Sequence, residues 1–331
     1  MTYDKKILRR AIAQFEQDKQ SRAAAFAARQ EKIFRELPRL KEIDSALRGT
    51  MSQVVAAALR RGTDPMPALR EIRQQNLSLQ RERSAILMAH GYEPDELEEK
   101  PFCMLCGDTG FREGVMCRCL RKYYARAQIR ELSQMLDVGT ASFESFEFKW
   151  YSPEPWPKMG ISPRTNMERN YDACRDYAYQ FSRRSGNLLL SGDPGLGKTF
   201  LSACIARVVS ENGFSVVYDT AGHIFNQMEN LKFRRDEDEE TEEAVNRCMA
   251  CDLLIMDDLG TELTTTFVQS ALYQIVNGRL LSGKQTIINT NLTPEEIGRR
   301  YSPQILSRLE GEYEILPFFG EDIRRQKRQI N

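Results

Sequence analysis

The chain of 331 residues has no apolar run approaching the roughly 18–20 residues of a bilayer span. Its first residues, Met1-Thr2-Tyr3-Asp4-Lys5-Lys6, lack the apolar core of a secretory signal. Both absences argue against a helical membrane protein or an exported one, and the cytoplasm is the expected compartment. A surplus of charge is missing too. Lys plus Arg and Asp plus Glu each total 47, so any affinity for nucleic acid has to come from local patches. The length leaves room for two or three domains and a sizeable core.

What is present centres on Gly192-Asp193-Pro194-Gly195-Leu196-Gly197-Lys198-Thr199, a complete G-x-x-x-x-G-K-[ST] element. It follows the apolar Leu188-Leu189-Leu190 and opens a helical pattern through Leu201, Ile205, Val208 and Val209. Strand, glycine turn and helix form the context in which such a loop closes backbone N–H groups around phosphates, with the helix N-terminus adding a favourable dipole. Residues Gly192 to Thr199 are the expected ATP-binding loop, Lys198 reaching the β- and γ-phosphates and Thr199 ligating Mg²⁺. Downstream, Leu253-Leu254-Ile255-Met256-Asp257-Asp258 reads as a buried parallel strand ending in two carboxylates. Ligands of α/β sheets sit at the carboxyl ends of the strands, so Asp257 is expected to complete the Mg²⁺ site and Asp258 to orient the attacking water. A chance glycine turn and a solvated acidic turn are the bland alternatives; the two elements together argue against both.

Four of the eight cysteines stand as Cys103-x-x-Cys106 and Cys117-x-Cys119, with glycines at 107, 110 and 114 to turn the chain back between the pairs. Two close thiol pairs joined by such a loop predict a closed, tetrahedral Cys₄ zinc site of structural type, in preference to two disulfides in an intracellular ATPase. Metal-free thiols and an iron–sulfur cluster are the alternatives. Cys248-x-x-Cys251 has no second pair nearby and reads, like Cys174 and Cys204, as core packing.

The pattern predicts three parts. Residues 1–98 form an all-α module: Ile33, Leu37, Leu40, Ile43 and Leu47 recur at helical spacing, further helices cover 51–59 and 66–90, and Gly62-Thr63-Asp64-Pro65 breaks them. Periodicity identifies the buried face without saying what covers it, so a solvated helical bundle and a partner-docking module both fit. Residues 99–135 hold the Cys₄ knuckle and a connecting helix. Residues 136–331 form the ATPase core, with strands at 187–191, 214–218, 252–256, 286–290 and near 313–317. Helices are expected at 198–210, 221–231, 265–281, 294–300 and 303–309; Thr293-Pro294-Glu295-Glu296 is a capping box, and Ser302-Pro303 repeats the start signal. The fold class is α/β, a P-loop core with a parallel sheet covered on both faces, preceded by the all-α module and the small knuckle.

For DNA contact the best local segment is Lys232-Phe233-Arg234-Arg235, which joins cations to an aromatic ring. It runs directly into Asp236-Glu237-Asp238-Glu239-Glu240, and a solvated charged loop is the competing reading. Arg324-Arg325-x-Lys327-Arg328 is a weaker candidate.

The ordered set Asn187 to Thr199, Leu254 to Glu262, Asn277-Gly278-Arg279, Thr286 to Leu292 and Ser307-Arg308-Leu309 resembles the DnaC/DnaI-type bacterial helicase loaders, which are AAA+ ATPases. The resemblance covers about residues 101–331, knuckle included; the first hundred residues carry no such motif. It implies an AAA+ core that binds ATP and single-stranded DNA and self-associates, and an N-terminal region that grips the hexameric replicative helicase. It assigns Asn291 as the sensor-1 residue that helps hold the hydrolytic water. It assigns Arg308 as an arginine finger acting in trans, a device worth about 10³–10⁵ in rate; a surface arginine on a short helix is the alternative. Asp258 stands where many AAA+ enzymes have Glu, which implies slow hydrolysis. Only 23 residues follow Arg308, too few for a separate lid with a sensor-2 arginine, and loaders of this type lack that lid as well. The expected function is ATP-dependent loading of the replicative helicase onto single-stranded DNA during DNA replication, with ATP, Mg²⁺ and Zn²⁺ as cofactors. The alternatives are an IstB-type ATPase helper of transposition, typically shorter at its N-terminus and without a knuckle, or a nucleotide-gated adaptor with little hydrolysis.

Overall fold

The computed structural model describes residues 3–59, 64–135, 141–157, 159–233 and 239–330, and the chain divides into two compact units, residues 13–117 and residues 1–12 with 118–331. Helix α1 (Lys5–Glu36) begins in the larger unit and ends in the smaller. The smaller unit also holds α2 (Pro38–Arg48), α3 (Thr50–Ala58), α4 (Met66–Ala89) and a two-stranded antiparallel ribbon, β1 (Phe111–Arg112) with β2 (Val115–Met116). Of the residues at helical spacing, Ile33, Leu40 and Ile43 are buried and Leu37 and Leu47 half-buried; Ile33 and Leu40 share one apolar cluster with Phe34, Leu87 and Leu97. Of the expected helix break, Gly62 and Thr63 lie outside the described residues.

The larger unit follows with α5 (Arg118–Met135), α6 (Pro163–Tyr179), β3 (Asn187–Gly192), α7 (Lys198–Glu211), β4 (Val216–Thr220), α8 (Ala221–Phe233), α9 (Glu239–Ala250), β5 (Leu253–Leu259), α10 (Thr266–Leu281), β6 (Gln285–Thr290), α11 (Pro294–Arg300), α12 (Pro303–Glu312), β7 (Tyr313–Phe318) and α13 (Ile323–Ile330). The five long strands pair in parallel in the order β4-β5-β6-β3-β7. β3 therefore sits between β6 and β7, and its carboxyl end opens beside those of β5 and β6. This is the P-loop sheet of the AAA+ type expected from the sequence.

Alternation along the strands explains why both faces are covered. Leu188, Leu190, Leu253, Ile255 and Ile287 join one apolar cluster with Met167 and Cys174 of α6 and Leu201, Cys204 and Ile205 of α7. Leu189, Leu254, Met256 and Ile288 join another with Ile224 and Phe225 of α8, Leu272 and Ile275 of α10, and Ile305 and Leu309 of α12. A strand buried on both faces has to be apolar at every position, which is why these strands read as unbroken runs.

The helix starts follow capping chemistry. The Thr293 hydroxyl accepts from Glu296 N while the Glu296 carboxylate accepts from Thr293 N, the capping box read from the sequence, and Ser302 Oγ accepts from Ile305 N. Each such cap contributes about 1 kcal/mol. Strand β4 begins two residues later than the pattern suggested, and helices α6 and α9 were not anticipated. Among the described residues no helix is long and apolar enough to cross a membrane.

Candidate active site

The loop from Gly192 to Thr199 leaves the end of β3 and enters α7, and Pro194 to Phe200 line a cavity of about 420 Å³. The loop is braced from the C-terminal side of the fold. Ile323 N donates to Gly195 O at 3.1 Å, and a Cβ at Gly195, whose φ is +79°, would lie 2.1 Å from the Asp322 carboxylate. Only glycine fits so close to that side chain in a left-handed conformation.

Lys198 is 6% exposed, and its Nζ donates to Gly192 O at 2.6 Å, to Asp193 O at 2.8 Å and to Asn291 Oδ1 at 2.9 Å. Burial pushes its ammonium down to about 8, against the pull of Asp258, Asp257 and Asp193. Asn291, just past β6, thus meets the phosphate-loop lysine at the mouth of the same cavity.

Asp257 is buried and fully engaged. Its Oδ1 accepts from Asn289 Nδ2 at 2.9 Å, Asp258 N at 3.0 Å and Thr199 Oγ1 at 3.3 Å, and its Oδ2 accepts from the Tyr218 hydroxyl at 2.8 Å. Asn289 Nδ2 also reaches Ser202 Oγ at 2.7 Å, which ties the acidic strand to the first turn of α7. An oxygen-lined pair of Thr199 and Asp257 beside a phosphate loop is the donor set that Mg²⁺ takes in such sites.

Asp258 differs from its neighbour in every respect. The pairing of β5 with β6 shifts register between Met256 and Leu259, and Asp258 sits in that irregularity with φ +54°. A non-glycine residue held there costs about 1–2 kcal/mol. The bulge turns the side chain out of the alternating pattern into the nucleotide cavity, where it is exposed. Partial burial and the adjacent Asp257 charge push its carboxyl above the usual range, while Lys198 and Arg324 draw it back.

Several residues of the cavity were not anticipated. Phe146, Trp150 and Tyr151 form an aromatic wall: the Tyr151 hydroxyl donates to Leu196 O at 3.0 Å, Trp150 Nε1 donates to Glu147 Oε2 at 2.8 Å, and Lys327 Nζ lies 5.3 Å from the Trp150 ring. α13 brings Arg324 and Lys327 to the same cavity. Tyr218 and Asn289 carried one signal, a polar group inside an otherwise apolar parallel strand.

Arg308 lies elsewhere. Its guanidinium is 5.5 Å from the Tyr273 ring, with one nitrogen 3.4 Å from the Tyr273 hydroxyl, in a shallow groove lined also by Gln304, Ser307 and Glu312. The expected DNA segment is described only in part. Lys232 Nζ stands 5.2 Å from the ring of Phe267, and the Phe233 and Phe267 rings are 6.0 Å apart; Arg234 and Arg235 lie outside the described residues.

The sulfurs of Cys103, Cys106, Cys117 and Cys119 all lie within 4.8 Å of one another, Cys103 and Cys117 at 3.7 Å. A tetrahedral ion about 2.3 Å from each sulfur requires separations of about 3.8 Å, so this donor set fits zinc. The Asp108 carboxylate accepts from Phe102 N and Cys103 N at 2.9 and 2.8 Å and holds the turn between the first two thiols. The remaining cysteines, Cys174, Cys204, Cys248 and Cys251, are buried in the core.

A parallel sheet with a phosphate loop at the end of one strand and paired carboxylates at the end of another defines a P-loop ATP-binding domain. Residues 174–330 match the family of IstB-like ATP binding proteins. The chain is 28% identical over 154 residues to the replicative helicase loader DnaC of Escherichia coli K12 and 26% identical over 157 residues to that of Buchnera aphidicola subsp. Baizongia pistaciae. These alignments cover 46% and 47% of this chain and 62% and 63% of the relatives, so the chain spans little more than three fifths of their length. A crystal structure of the DnaC helicase loader overlays 55% of this chain and 99% of its own, at 18% identity and a TM-score of 0.46.

Proposed function

We propose that the chain is an ATP-dependent loader of the hexameric replicative helicase onto single-stranded DNA, acting in the cytoplasm as a self-associating AAA+ ATPase. The observation that carries the ATPase part is the meeting of Lys198, Thr199, Asn291 and Asp258 at one cavity, with buried Asp257 bonded to Thr199, while Arg308 lines another groove. Because Arg308 lies outside the cavity that Lys198, Arg324 and Lys327 line, its guanidinium would act on a second copy's nucleotide. Lys198 holds the β- and γ-phosphates, and Thr199 and Asp257 hold Mg²⁺, which neutralises phosphate charge when bound. Asp258 accepts the hydrogen bond of the attacking water, and Asn291 fixes its position near the γ-phosphate. Asp258 is one methylene shorter than Glu, which keeps turnover slow. Trp150 and Tyr151 face the base.

Helicase loading is supported by the curated relatives, both named as replicative helicase loaders. A partner-docking surface is supported by α3 and its C-cap, where Met51, Val55 and Leu59 are 72%, 48% and 75% exposed at four-residue spacing. Single-stranded DNA is supported by Lys232, Phe233 and Phe267, a cation between two rings on which bases stack.

The IstB-like family match favours a second reading, an ATPase helper of transposition. Affinity capture with the full-length chain as bait in its source cell separates the two. Replicative helicase on the beads sustains the loader; a transposase in its place sustains the helper. Very slow hydrolysis that neither helicase nor DNA stimulates would leave only a nucleotide-gated adaptor.

A further inference from the structure

The chain that leaves Asp258 is tied to the helix that carries Arg308. Two residues past Asp258 the backbone again takes a positive φ at Gly260, +108°, where a Cβ would lie 2.8 Å from the Leu292 side chain. The turn closes on itself: Thr261 N and Oγ1 donate to Asp258 O at 3.3 and 3.0 Å. Glu262 then braces it from both sides. One carboxylate oxygen accepts from Gly260 N at 3.0 Å, and the other accepts from the Tyr301 hydroxyl. Arg300 adds two more links, donating to Glu262 O at 2.5 Å and to Thr264 Oγ1 at 2.7 Å.

Arg300 and Tyr301 are the last residue and C-cap of α11, and the next residue, Ser302, is the N-cap of α12. Tyr301 is 2% exposed and packs in one cluster with Ile305 and Leu309, the α12 residues on either side of Arg308 in sequence. A buried ring in a close-packed core cannot move independently of its neighbours. Displacement of α12 is therefore carried to the Tyr301 hydroxyl, through Glu262 to Gly260, and so to the bulge that holds Asp258.

We propose that Glu262 and Tyr301 form a relay within each chain that couples engagement of its Arg308 at a neighbour's nucleotide to the position of its own Asp258. This rests on reading Arg308 as a finger acting in trans. Hydrolysis in one subunit then depends on whether that subunit has docked on the next, so turnover around an assembly is cooperative in ATP. Glu262 and Tyr301 are positioning residues: neither lines the nucleotide cavity, and they act through the bulge at Asp258.

The test uses full-length protein with single-stranded DNA to drive assembly. Steady-state ATP hydrolysis against ATP concentration is measured for the parent, Tyr301→Phe, Glu262→Gln and Arg308→Ala, with melting temperature and ATP affinity of each dilute chain as controls. Tyr301→Phe keeps the ring and loses the hydroxyl; Glu262→Gln keeps an acceptor and loses the charge. Expected are a parent Hill coefficient above 1, a fall toward 1 with a several-fold lower kcat in both relay variants, and ATP affinity within about twofold of the parent. If Tyr301→Phe does not fold, Glu262→Gln decides. A parent-like Hill coefficient and kcat in a folded relay variant, with Arg308→Ala inactive, overturns the relay and leaves the finger standing. A parent Hill coefficient of 1 with an inactive Arg308→Ala overturns it equally. Parental turnover in Arg308→Ala removes the finger itself, and the relay with it.

Discussion

The Tyr218 hydroxyl donates to Asp257 Oδ2 at 2.8 Å, from the edge strand of the sheet to its neighbour. The tyrosine is 2% exposed, and burial with the Asp257 charge holds its phenol well above the usual range, so it stays a donor at any working pH. It orients a carboxylate whose other oxygen faces Thr199, as would suit a proposed Mg²⁺ ligand held from behind.

Tyr218→Phe removes that donor and leaves the ring in place. The Mg²⁺ concentration that half-saturates ATP hydrolysis is expected to rise about tenfold, with ATP-loop integrity and fold unchanged. A metal titration of turnover measures this. An unaltered Mg²⁺ requirement would make Tyr218 a core residue with a satisfied hydroxyl and nothing more.

Lys198 sets a pH dependence of opposite sign for binding and for stability. Its ammonium loses its proton near 8 in the folded chain, against an ordinary 10.5. ATP phosphates pair with the charged form, so above pH 8 ATP affinity should fall about tenfold per pH unit, and below it this group contributes no pH dependence. Stability of the chain without nucleotide runs the other way. Between pH 8 and 10.5 the unfolded chain holds a proton that the folded chain has released, so this group's contribution rises with pH there. Equilibrium ATP binding from pH 6.5 to 9.5 checks the first, and Lys198→Ala should abolish tight binding at every pH. Affinity independent of pH through that window would contradict the lowered value.

The zinc expectation has its own readout. Freshly purified protein should carry one zinc per chain, lost when Cys103 and Cys106 are replaced by serine. Because metal-binding free energy is folding free energy in so small an element, residues 101–120 should then become protease-sensitive. Elemental analysis without zinc in the parent would leave four close thiols and no metal centre.

The parts of the site that could be read in the sequence are those where residue type and spacing dictate the chemistry. Gly192 to Thr199 can hardly do anything else between a strand and a helix, and Leu253 to Met256 had to be a strand covered on both faces. The bulge at Asp258 could not be read, because a positive φ at aspartate leaves no mark in residue type. Tyr218 and Asn289 were legible only as polar intrusions in apolar strands, and their shared target needed the register of three strands. α9 was hidden by the acidic run at its start. α6 showed its start signal, Ser162-Pro163, but its mixture of charges and prolines just upstream obscured the apolar stripe of Met167, Cys174 and Ala178. Phe267 gained meaning only when the fold set it against Lys232 and Phe233.

Arg308 and Asp258 offer the sharpest division between an AAA+ assembly and a solitary nucleotide-binding chain. On the proposed roles, Asp258→Asn would keep Lys198 for the phosphates and lose the carboxylate proposed to orient water, so it should bind ATP and not turn it over. Arg308→Ala keeps an intact pocket and should also bind ATP. Under the proposed roles each alone is expected to be inactive, because one would lack water activation in every pocket and the other would lack the finger at every junction. Mixed in the presence of single-stranded DNA, the two should recover partial activity, since some junctions pair an intact Asp258 pocket with an intact Arg308. Recovery should peak at an intermediate mixing ratio and vanish at both extremes. An arginine that acts within its own chain gives no recovery at any ratio, because no single chain then carries both groups. Absence of recovery in mixtures whose co-assembly is verified by crosslinking would therefore mean that Arg308, stacked on Tyr273, does not act on a neighbouring chain's nucleotide.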